Sequence, residues 1–332
     1  MTVEYLPVEV EDRGLPLDEF LAAQFPRWTK GYLRGLIREG LVSIDGQPEI
    51  VASTRLHSNA LIGIDLPEEE VARPQIRSSA LPEIRVLYED DAIWVIDKPA
   101  GIAVEPERWD REGAHIAGAV LDHLERGVAA GERLPFRPRV VHRIDKGTSG
   151  VLCFAKNLEA ERALRSQFEE GSVSKRYLAL VEGEVPPEGG TVDLPIGPDA
   201  KKDGKMRVDR SGTGKRAHTR YELARAYRGF SLVGAFPKTG RTHQIRVHLA
   251  ARGFPLLVDP LYGRREELLL SEFKPGYVSS KRHKERPLIA RLTLHAASLA
   301  LRSPAAGEVV IECAPPKDFA ATMTQLQRWR GR

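Results

Sequence analysis

The stretch RPRVVHRIDKGTSGVLCFAK, from Arg137 to Lys156, is the most informative part of this sequence. Within it, Asp145 follows a His-Arg-Ile motif and precedes a Gly-Thr-Ser-Gly turn, with apolar residues on both sides. A carboxylate between apolar strands is unfavourable unless it is paired with a cation or used in chemistry. A second segment of similar character, FPKTGRTHQIRVH, runs from Phe236 to His248. Together the two segments predict a site where an Asp is held by an Arg and faces a polyanion.

Size and composition indicate a globular protein of more than one domain. The chain has 332 residues, of which 42% are hydrophobic and 29% are charged, enough for a full core. No apolar run approaches the ~20 residues of a membrane span, and the N-terminal sequence has no apolar core of signal-peptide length. Only two cysteines are present, which excludes a disulfide scaffold and a Cys-rich zinc site. We therefore expect a cytoplasmic protein that does not bind membranes.

Basic residues are concentrated in two places. The segment 197–220 contains eight Lys or Arg against three acidic residues, and a second cluster, KRHKER, spans Lys281 to Arg286. Such clusters attract phosphate backbones, although isolated basic loops are more often simply solvated. The clusters indicate nucleic acid only in combination with other features.

The N-terminal region predicts a small module of two helices and a hairpin. Apolar residues recur at helical spacing from Leu17 to Phe25, and Thr29 is a favourable N-cap for a second helix that ends at Gly40. Asp45 and Gly46 then predict a tight hairpin turn. The second helix has a basic face formed by Lys30, Arg34 and Arg38, which lie four residues apart. This face indicates either RNA binding or an ordinary solvent-exposed surface.

The remainder of the chain predicts strands with interspersed helices and no regular βαβ repeat. Alternating segments include 84–88, 93–96, 173–181, 219–223 and 230–236, and helical patterns cover 114–124 and 158–168. The stretch from Ile245 to Leu249 also alternates, which predicts a half-buried strand with Arg241 at its entrance. We predict the α+β class, with a large mixed or antiparallel sheet flanked by helices and a small N-terminal α+β domain.

The carboxylate of Asp145 has several possible roles. No HxxE, DxD or HExxH pattern joins it to other ligands, so a metal site is not expected. Ser149 is not in a GxSxG elbow, and no His is evidently placed to serve it. Asp145 is thus a nucleophile, a base or a structural ion-pair partner. If catalytic, it needs a nearby cation to stay ionised, which Arg143 or the second segment could supply.

At this point the motifs resemble those of a known family. HRIDKGTSG, KRYLALVEG and GRTHQIRVHLAARGFPLLVDPLYG look like the RluA-type pseudouridine synthases, and the similarity extends from about Val86 to Pro315. The N-terminal module resembles the alpha-L RNA-binding domain. The resemblance implies an alpha-L domain at 1–67, a linker at 68–82, a catalytic domain with the pseudouridine synthase fold at 83–320 and a C-terminal tail at 321–332.

The resemblance also implies roles for individual residues. Asp145 matches the catalytic aspartate, Tyr177 the tyrosine that stacks on the target base, and Arg246 the partner of the aspartate. Arg143 matches the arginine that enters the RNA where the uridine is flipped out. Further RNA-binding residues are expected on both domains: His142, Lys98, Arg241, His243, Gln244, Lys175, Arg34 and Arg38.

The predicted activity is isomerisation of specific uridines to pseudouridine in ribosomal RNA, with the large subunit as the expected source of that RNA. It needs no cofactor and no metal, and the enzyme is expected to be a monomer. Whether Asp145 attacks the sugar or the base, or removes a proton, stays open. The alternatives are the same chemistry on transfer RNA, an RNA-binding or ribosome-assembly protein without catalysis, and a nuclease, for which metal ligands are lacking.

Overall fold

A computed structural model describes residues 2–66, 83–105, 115–129, 134–278 and 284–331. The chain divides into two compact units. The first consists of Met1–Glu83 and Glu105–Pro138, and the second of Ile84–Val104 and Arg139–Arg332. The predicted linker 68–82 and part of the second basic cluster, residues 281–283, lie outside the described residues.

The first unit is a small α+β domain. Its four-stranded sheet has the order β1-β4-β2-β3 and is antiparallel throughout. Its elements are β1 (Thr2–Pro7), α1 (Leu17–Gln24), α2 (Lys30–Arg38), β2 (Val42–Ile44), β3 (Gln47–Pro48), β4 (Leu61–Leu66) and α3 (Ile116–Glu125). Helices α1 and α2 supply half of its buried core residues, which include Leu17, Phe20, Leu21, Leu33 and Ile37.

Local sequence determines the ends of α2 and the hairpin that follows. The Thr29 side chain accepts a hydrogen bond from the Tyr32 amide, which caps the helix. Gly40 takes a positive φ of 74° after the last turn, and Asp45 and Gly46 have φ angles of 50° and 80°. Positive φ at both central positions is the hairpin geometry that Asp-Gly favours. The predicted cap, stop and turn are confirmed.

A segment from the middle of the sequence completes the first unit. The Arg27 side chain pairs with Asp122 and Glu125 of α3, at 2.8 Å from its Nε to Glu125 Oε1. The Arg137 guanidinium donates to the carbonyl oxygens of Ala22 and Trp28, each at 3.2 Å. These contacts explain why 105–138 groups with the N-terminal residues. The predicted domain boundaries at 67 and 83 stay a prediction, and the compact units follow a different division.

The second unit is built on one large mixed sheet. Its order is β10-β13-β14-β9-β15-β8-β6-β5, with β16 paired to β15 and β7 paired to β8. The strands are β5 (Arg85–Glu89), β6 (Ile93–Lys98), β7 (Arg139–Val140), β8 (Ser149–Ala155), β9 (Ser174–Glu182), β10 (Gly190–Asp193), β13 (His218–Tyr227), β14 (Phe230–Pro237), β15 (Leu294–Ser303) and β16 (Gly307–Glu312). A separate hairpin consists of β11 (Ile196–Pro198) and β12 (Met206–Val208). The predicted α+β fold with a large mixed sheet is confirmed.

Three helices cover this sheet: α4 (Leu158–Glu170), α5 (Gln244–Ala251) and α6 (Lys317–Arg330). Ile245 and Leu249 of α5 pack in the same core as Ala179, whereas Phe319 and Leu326 of α6 pack in the core of Leu180. Neighbouring residues of a strand point to opposite faces, so α5 and α6 lie on opposite sides of the sheet. No helix in the described ranges is both long and apolar enough to cross a membrane.

Two sequence-based expectations differ from the structure in this unit. The segment from Ile245 to Leu249 is part of helix α5 and not a strand, and Arg241 precedes that helix. The α5 residues from Gln244 to Leu249 are all buried. The alternation of apolar and polar residue types in this segment therefore did not reflect alternating buried and exposed positions. Residues 321–330, expected to be a tail, lie in α6, in which Leu326 is fully buried.

The parallel pairing of β8 with β15 depends on Gly150. This residue has a φ of +112°, and a Cβ built on it would lie 2.2 Å from the Ala296 carbonyl oxygen. Only glycine permits both the conformation and this approach of two backbones. The Thr-Ser-Gly turn after Asp145 is therefore a structural requirement of the strand junction.

We predict that Gly150→Ala lowers the free energy of unfolding by more than ~3 kcal/mol, because strain and a backbone clash act together. Urea unfolding followed by circular dichroism measures the change. Gly240→Ala is the matched control, since a Cβ added to Gly240 would meet no atom within 4 Å and the residue does not have a positive φ. A Gly150→Ala protein as stable as the control would contradict the assignment.

Candidate active site

Asp145 lies in the loop between β7 and β8, inside a turn closed by the Thr148 amide donating to the Asp145 carbonyl oxygen at 2.9 Å. Arg246 of α5 donates from Nη1 to Asp145 Oδ2 at 3.2 Å. The Asp145 side chain is 23% exposed and that of Arg246 is 5% exposed. In the described ranges no group donates to Oδ1, which is also not among the buried unpaired polar atoms. One oxygen is thus held by Arg246 and the other is open.

Asp259 orients the arginine. Arg246 Nε donates to Asp259 Oδ2 at 2.8 Å, and Nη2 donates to Oδ1 at 2.9 Å. Asp259 is fully buried, and its Oδ1 also accepts from the Leu261 and Tyr262 amides at 2.9 and 3.2 Å. Burial opposes the charge of Arg246, but Asp259 and Asp145 outweigh it and raise the pKa of the guanidinium. The two-pronged contact with Asp259 directs the remaining nitrogen to Asp145.

The structure answers which cation accompanies Asp145. The sequence left Arg143 and the second segment as candidates, and the geometry selects Arg246 from the second segment. Arg143 is exposed, two residues before Asp145. Its expected contact with RNA stays a prediction.

Tyr177 lies on β9 between β14 and β15, where it pairs with Ala235 and Ala296. Its ring packs on the core below α5, and it is half-buried. Burial raises the pKa of Tyr177, and the charge of Asp145 raises it further. The phenol is therefore neutral beside the carboxylate. It can stack or donate a hydrogen bond, and the phenolate that a general base would require is disfavoured.

Lys98 supports the catalytic loop from beneath. It is fully buried, and its Nζ donates to the carbonyl oxygens of Pro99, Ile102 and Lys146 at 2.8, 2.7 and 3.2 Å. Burial lowers the pKa of Lys98 to about 7, and the charge of Asp145 acts in the opposite direction. The predicted contact between Lys98 and RNA does not fit an ammonium group enclosed by carbonyls next to Asp145. Its position instead holds the loop in place.

Gln244 and Arg241 shape the start of α5. The Gln244 Oε1 accepts from Thr239 Oγ1 at 2.7 Å and from the Arg241 amide at 3.0 Å. Its Nε2 donates to the His218 carbonyl oxygen and to Thr219 Oγ1, at 3.0 and 2.9 Å. A buried amide with these four bonds has no capacity left for RNA, so the predicted binding role of Gln244 does not fit. Arg241 is exposed and stays a candidate.

His142 and Lys175 lie near each other. His142 Nε2 accepts from the Cys153 amide at 2.9 Å, and its ring stacks on Phe168 with centroids 4.7 Å apart. Burial lowers the pKa of His142 to about 3, and Lys175 adds to this. Burial also lowers the pKa of Lys175 to about 8, and its Nζ donates to the Thr239 carbonyl oxygen at 3.4 Å. The contacts of His142 are those of a packed neutral ring, and they do not support its predicted contact with RNA.

His243 is brought to the site by the turn before α5. Its Nδ1 lies 2.9 Å from the Tyr262 hydroxyl, and the guanidinium carbon of Arg246 lies 5.0 Å from the Tyr262 ring centroid. The charges of Asp145, Arg246 and Asp259 all act on the His243 ring. Of the predicted residues, the structure thus assembles Asp145, Tyr177, Arg246 and His243 around one position.

Arg34 and Arg38 belong to the first unit. Both are exposed on α2, and the Arg34 Nη2 pairs with Asp18 Oδ2 at 2.7 Å. Lys30 of the same face pairs with Glu19. The basic face exists as predicted, but two of its three cations already have acidic partners, and among the described residues only Arg38 of this face forms no ion pair.

Sequence reasoning missed Asp259 and Tyr262, which hold Arg246 and His243. A signal was present, because Asp259 follows the apolar run Leu256–Val258 and a buried carboxylate there requires a cation. The expectation that no His serves Ser149 is wrong in geometry, since His295 Nδ1 lies 3.0 Å from Ser149 Oγ. Both side chains are buried, however, so this pair cannot reach RNA.

The residues do not define a metal centre. Within the described ranges, no cluster of three or more His, Cys, Asp or Glu side chains is arranged to hold a metal ion. The arrangement is instead a carboxylate with one open oxygen, a fixed guanidinium and a neutral phenol. It is suited to covalent or acid–base chemistry on a neutral ring.

Comparisons with known proteins identify this class of site. The model of the family described as RNA pseudouridylate synthase matches residues 92–251. Ribosomal large subunit pseudouridine synthase D of Pseudomonas aeruginosa is 34% identical, over 97% of this chain and 95% of its own length. Ribosomal large subunit pseudouridine synthase C of Salmonella typhimurium is 33% identical, over 98% and 97%. Among solved structures, human RNA pseudouridylate synthase domain containing 4 is 28% identical, with a TM-score of 0.57, covering 73% of this chain and 93% of its own.

The chain belongs to the RNA pseudouridylate synthase family, as its motifs indicated. It is an isomerase that converts uridine to pseudouridine in RNA. The alternative of a binding protein without catalysis is not favoured.

The paired carboxylates are expected to differ in their effect on stability. Asp259→Asn leaves the buried guanidinium of Arg246 without its two-pronged partner and should lower the free energy of unfolding by about 3–5 kcal/mol. Asp145→Asn preserves the Asp259 pair and should change it by less than ~1 kcal/mol. Urea unfolding of the two variants side by side measures both. Equal losses would show that Asp259 does not anchor the arginine.

The pKa of His142 predicts a pH dependence of stability. In the folded protein the ring stays neutral down to about pH 3, whereas in the unfolded chain it protonates near its usual pKa of 6.5. The unfolded state therefore binds more protons in this window, and stability falls as the pH decreases through it. His142→Gln keeps an acceptor for Cys153 without the titration. Its stability relative to the wild type should rise as the pH is lowered from about 6.5 to 4. A constant difference would contradict the burial of a neutral ring.

Proposed function

We propose that this enzyme modifies specific uridines of large-subunit ribosomal RNA, with Asp145 as the catalytic carboxylate. The observation that carries the role of Asp145 is its geometry, in which Arg246 holds one oxygen and leaves the other open. Support for the substrate comes from relatives named as large-subunit synthases that align over nearly the whole chain.

In this proposal, Arg246 holds the Asp145 carboxylate in a fixed orientation. Because Asp259 has already fixed the guanidinium, no reorganisation is needed when a uridine arrives. The open Oδ1 can attack the sugar or the base, or take a proton from the sugar, and each route begins from the same open oxygen.

Tyr177 is proposed to support the extruded base. Extruding a uridine costs a few kcal/mol of stacking, and an aromatic face beneath the base offsets part of it. A neutral phenol next to the carboxylate serves this role without adding a second negative charge. As the phenolate is disfavoured, we assign to Tyr177 stacking and hydrogen-bond donation rather than removal of the proton from carbon five.

RNA backbone contacts are proposed for the exposed cations around this site. Arg143 would fill the gap left by the extruded uridine, and Arg241 lies exposed before α5. The β11–β12 hairpin carries further basic residues, and Lys205 Nζ lies 5.5 Å from the Tyr262 ring centroid. In the first unit, Arg38 with Arg34 would hold a separate part of the RNA. We keep Lys175, whose Nζ donates to the Thr239 carbonyl oxygen, as a further proposed contact.

We further propose that the enzyme works as a monomer in the cytoplasm. Both cysteines are free and buried, in keeping with a reducing compartment. Its exposed large hydrophobic side chains include scattered positions such as Tyr5, Val86 and Val310. Sedimentation at micromolar concentration with and without RNA measures the oligomeric state.

Asp145→Asn is expected to lower the rate of tritium release from RNA labelled at carbon five of uridine by at least ~10³-fold. Affinity for the same RNA, from filter binding, should change less than about threefold, because the backbone contacts remain. Arg165→Gln, on the exposed surface of α4, is the control for loss of a charge without loss of activity. Turnover by Asp145→Asn would refute the assignment.

The RNA target is tested separately. Wild-type and Asp145→Asn proteins are supplied to a strain lacking the gene, and pseudouridines are mapped in ribosomal and transfer RNA with a pseudouridine-specific probe. Restoration of a large-subunit position by the wild type alone supports the proposed substrate. Restoration only in transfer RNA would refute it and leave the role of Asp145 intact.

A further inference from the structure

The Tyr262 hydroxyl joins three parts of the second unit. It accepts a hydrogen bond from the Met206 amide of β12 at 2.8 Å, and it lies 2.9 Å from His243 Nδ1. Its ring lies beneath the Arg246 guanidinium. The basic hairpin, the turn before α5 and the arginine that pairs with Asp145 therefore meet at one side chain.

Hydrogen-bond accounting gives the direction of the bond to His243. A tyrosine hydroxyl has one hydrogen, and the Met206 amide already uses the hydroxyl as an acceptor. Burial raises the pKa of Tyr262 to about 12, so the hydroxyl keeps its proton. Burial likewise lowers the pKa of His243, which favours the neutral ring. The Tyr262 hydrogen has a partner in the described residues only if Tyr262 donates to Nδ1, and the ring proton of His243 then resides on Nε2.

The other side of the ring is open. In the described part of the chain, no group pairs with His243 Nε2, and this atom is not among the buried unpaired ones. His243 contacts Tyr262, whose ring lies against the Arg246 guanidinium, and Arg246 in turn pairs with Asp145, so the His243 ring lies in the same site as the carboxylate. An N–H next to the carboxylate, reachable from solvent, can donate to an acceptor oxygen of a bound nucleotide.

The backbone of His243 is strained. Its φ and ψ are 56° and 20°, a left-handed conformation, and within the described ranges it shares a positive φ with only two other non-glycine residues, Asp45 and Asn59. His, Asp and Asn all adopt this region more often than most residues, but Asp45 and Asn59 lie in turns of the first unit, whereas His243 lies at the start of α5. Strain of this kind at a residue that faces a reaction centre suggests that the position of the side chain matters.

We propose that Tyr262 is a positioning residue that holds His243 in the Nε2–H tautomer, and that His243 donates this hydrogen to an oxygen of the uridine bound at Asp145. The substrate part rests on the proposed function, whereas the tautomer is a property of the free protein. No covalent step is involved. The pair adds a directional contact to a site otherwise defined by a carboxylate, a guanidinium and a phenol.

The tautomer is measured first, without RNA. In protein labelled with ¹⁵N-histidine, long-range ¹H–¹⁵N correlation distinguishes a protonated ring nitrogen from an unprotonated one. Of the nine histidines, the signal that disappears in His243→Asn belongs to His243. We expect unprotonated Nδ1 and protonated Nε2 in the wild type, and a mixture of tautomers in Tyr262→Phe. Protonated Nδ1 in the wild type would overturn the proposal.

Tyr88→Phe is the matched control for the loss of one phenol. Tyr88 lies on β5, outside the site, and its hydroxyl donates to Asp90 Oδ2 at 3.1 Å. The Tyr88→Phe substitution should leave the His243 signals and kcat/KM unchanged, whereas Tyr262→Phe should lower kcat/KM several-fold. A loss of the same size in Tyr88→Phe would show that the effect is a general one.

A pair of substitutions at His243 separates its side chain from its backbone. The amide nitrogen of Gln occupies the place of Nε2, whereas that of Asn occupies the place of Nδ1. Asn, however, adopts left-handed backbone more readily than Gln. We expect His243→Asn to be the more stable variant by urea unfolding and His243→Gln to have about tenfold higher kcat/KM on RNA, as one restored hydrogen bond would give.

The order of the two activities decides the proposal. If Asn equals or exceeds Gln in kcat/KM, His243 acts only through its backbone, and the donor role is refuted. If the wild type is inactive on ribosomal RNA but the tautomer is as expected, the proposed substrate fails and the positioning role of Tyr262 stands. The two hypotheses are therefore tested independently.

Discussion

The active site depends on one buried guanidinium shared by two carboxylates. Arg246 is held in two places by the fully buried Asp259, and only its remaining nitrogen reaches Asp145. A buried charge with a single partner would be free to turn, and removing the internal partner is unfavourable by several kcal/mol. Asp259 therefore fixes the arginine, and the proposed catalytic carboxylate, Asp145, contacts it through a single hydrogen bond. This separation lets the reactive carboxylate keep one oxygen open to substrate.

The loop that carries Asp145 is held from beneath by backbone contacts. Lys98 Nζ and the Gly101 amide both donate to the Lys146 carbonyl oxygen, one residue after the carboxylate. Beyond the turn, Gly150 allows β8 to approach β15 at a distance that any side chain would prevent. Part of the motif around Asp145 is thus required by the junction of β8 and β15 and not by the carboxylate itself. A lysine without solvent contact fits this account, because three carbonyl oxygens replace its hydration.

The polar residues predicted to contact RNA divide into an exposed set and a buried set that look alike in sequence. Arg143 and Arg241 are exposed, whereas Gln244 and Lys98 are buried with their hydrogen bonds satisfied inside the protein. Residue type alone predicted RNA contact for all four, since each is a capable donor. The internal set instead builds the surface that the external set presents. A buried polar residue with complete pairing acts on the substrate only through the groups it positions.

Sequence alone was sufficient for the α+β class, the capped helix and hairpin of the first unit, the family, and the carboxylate, tyrosine and arginine of the site. The helix cap and the hairpin depend on residues that are close in sequence. The family and its site residues were recognised from long motifs that resemble those of the family. The three-dimensional packing was needed to establish that 244–251 is a helix and that Asp259 and Tyr262 support Arg246 and His243. Side chains far apart in sequence meet there, and six consecutive buried residues of α5 have no exposed face whose period could reveal the helix. Pairing across such distances is set by how the sheet and α5 pack, which no local pattern encodes.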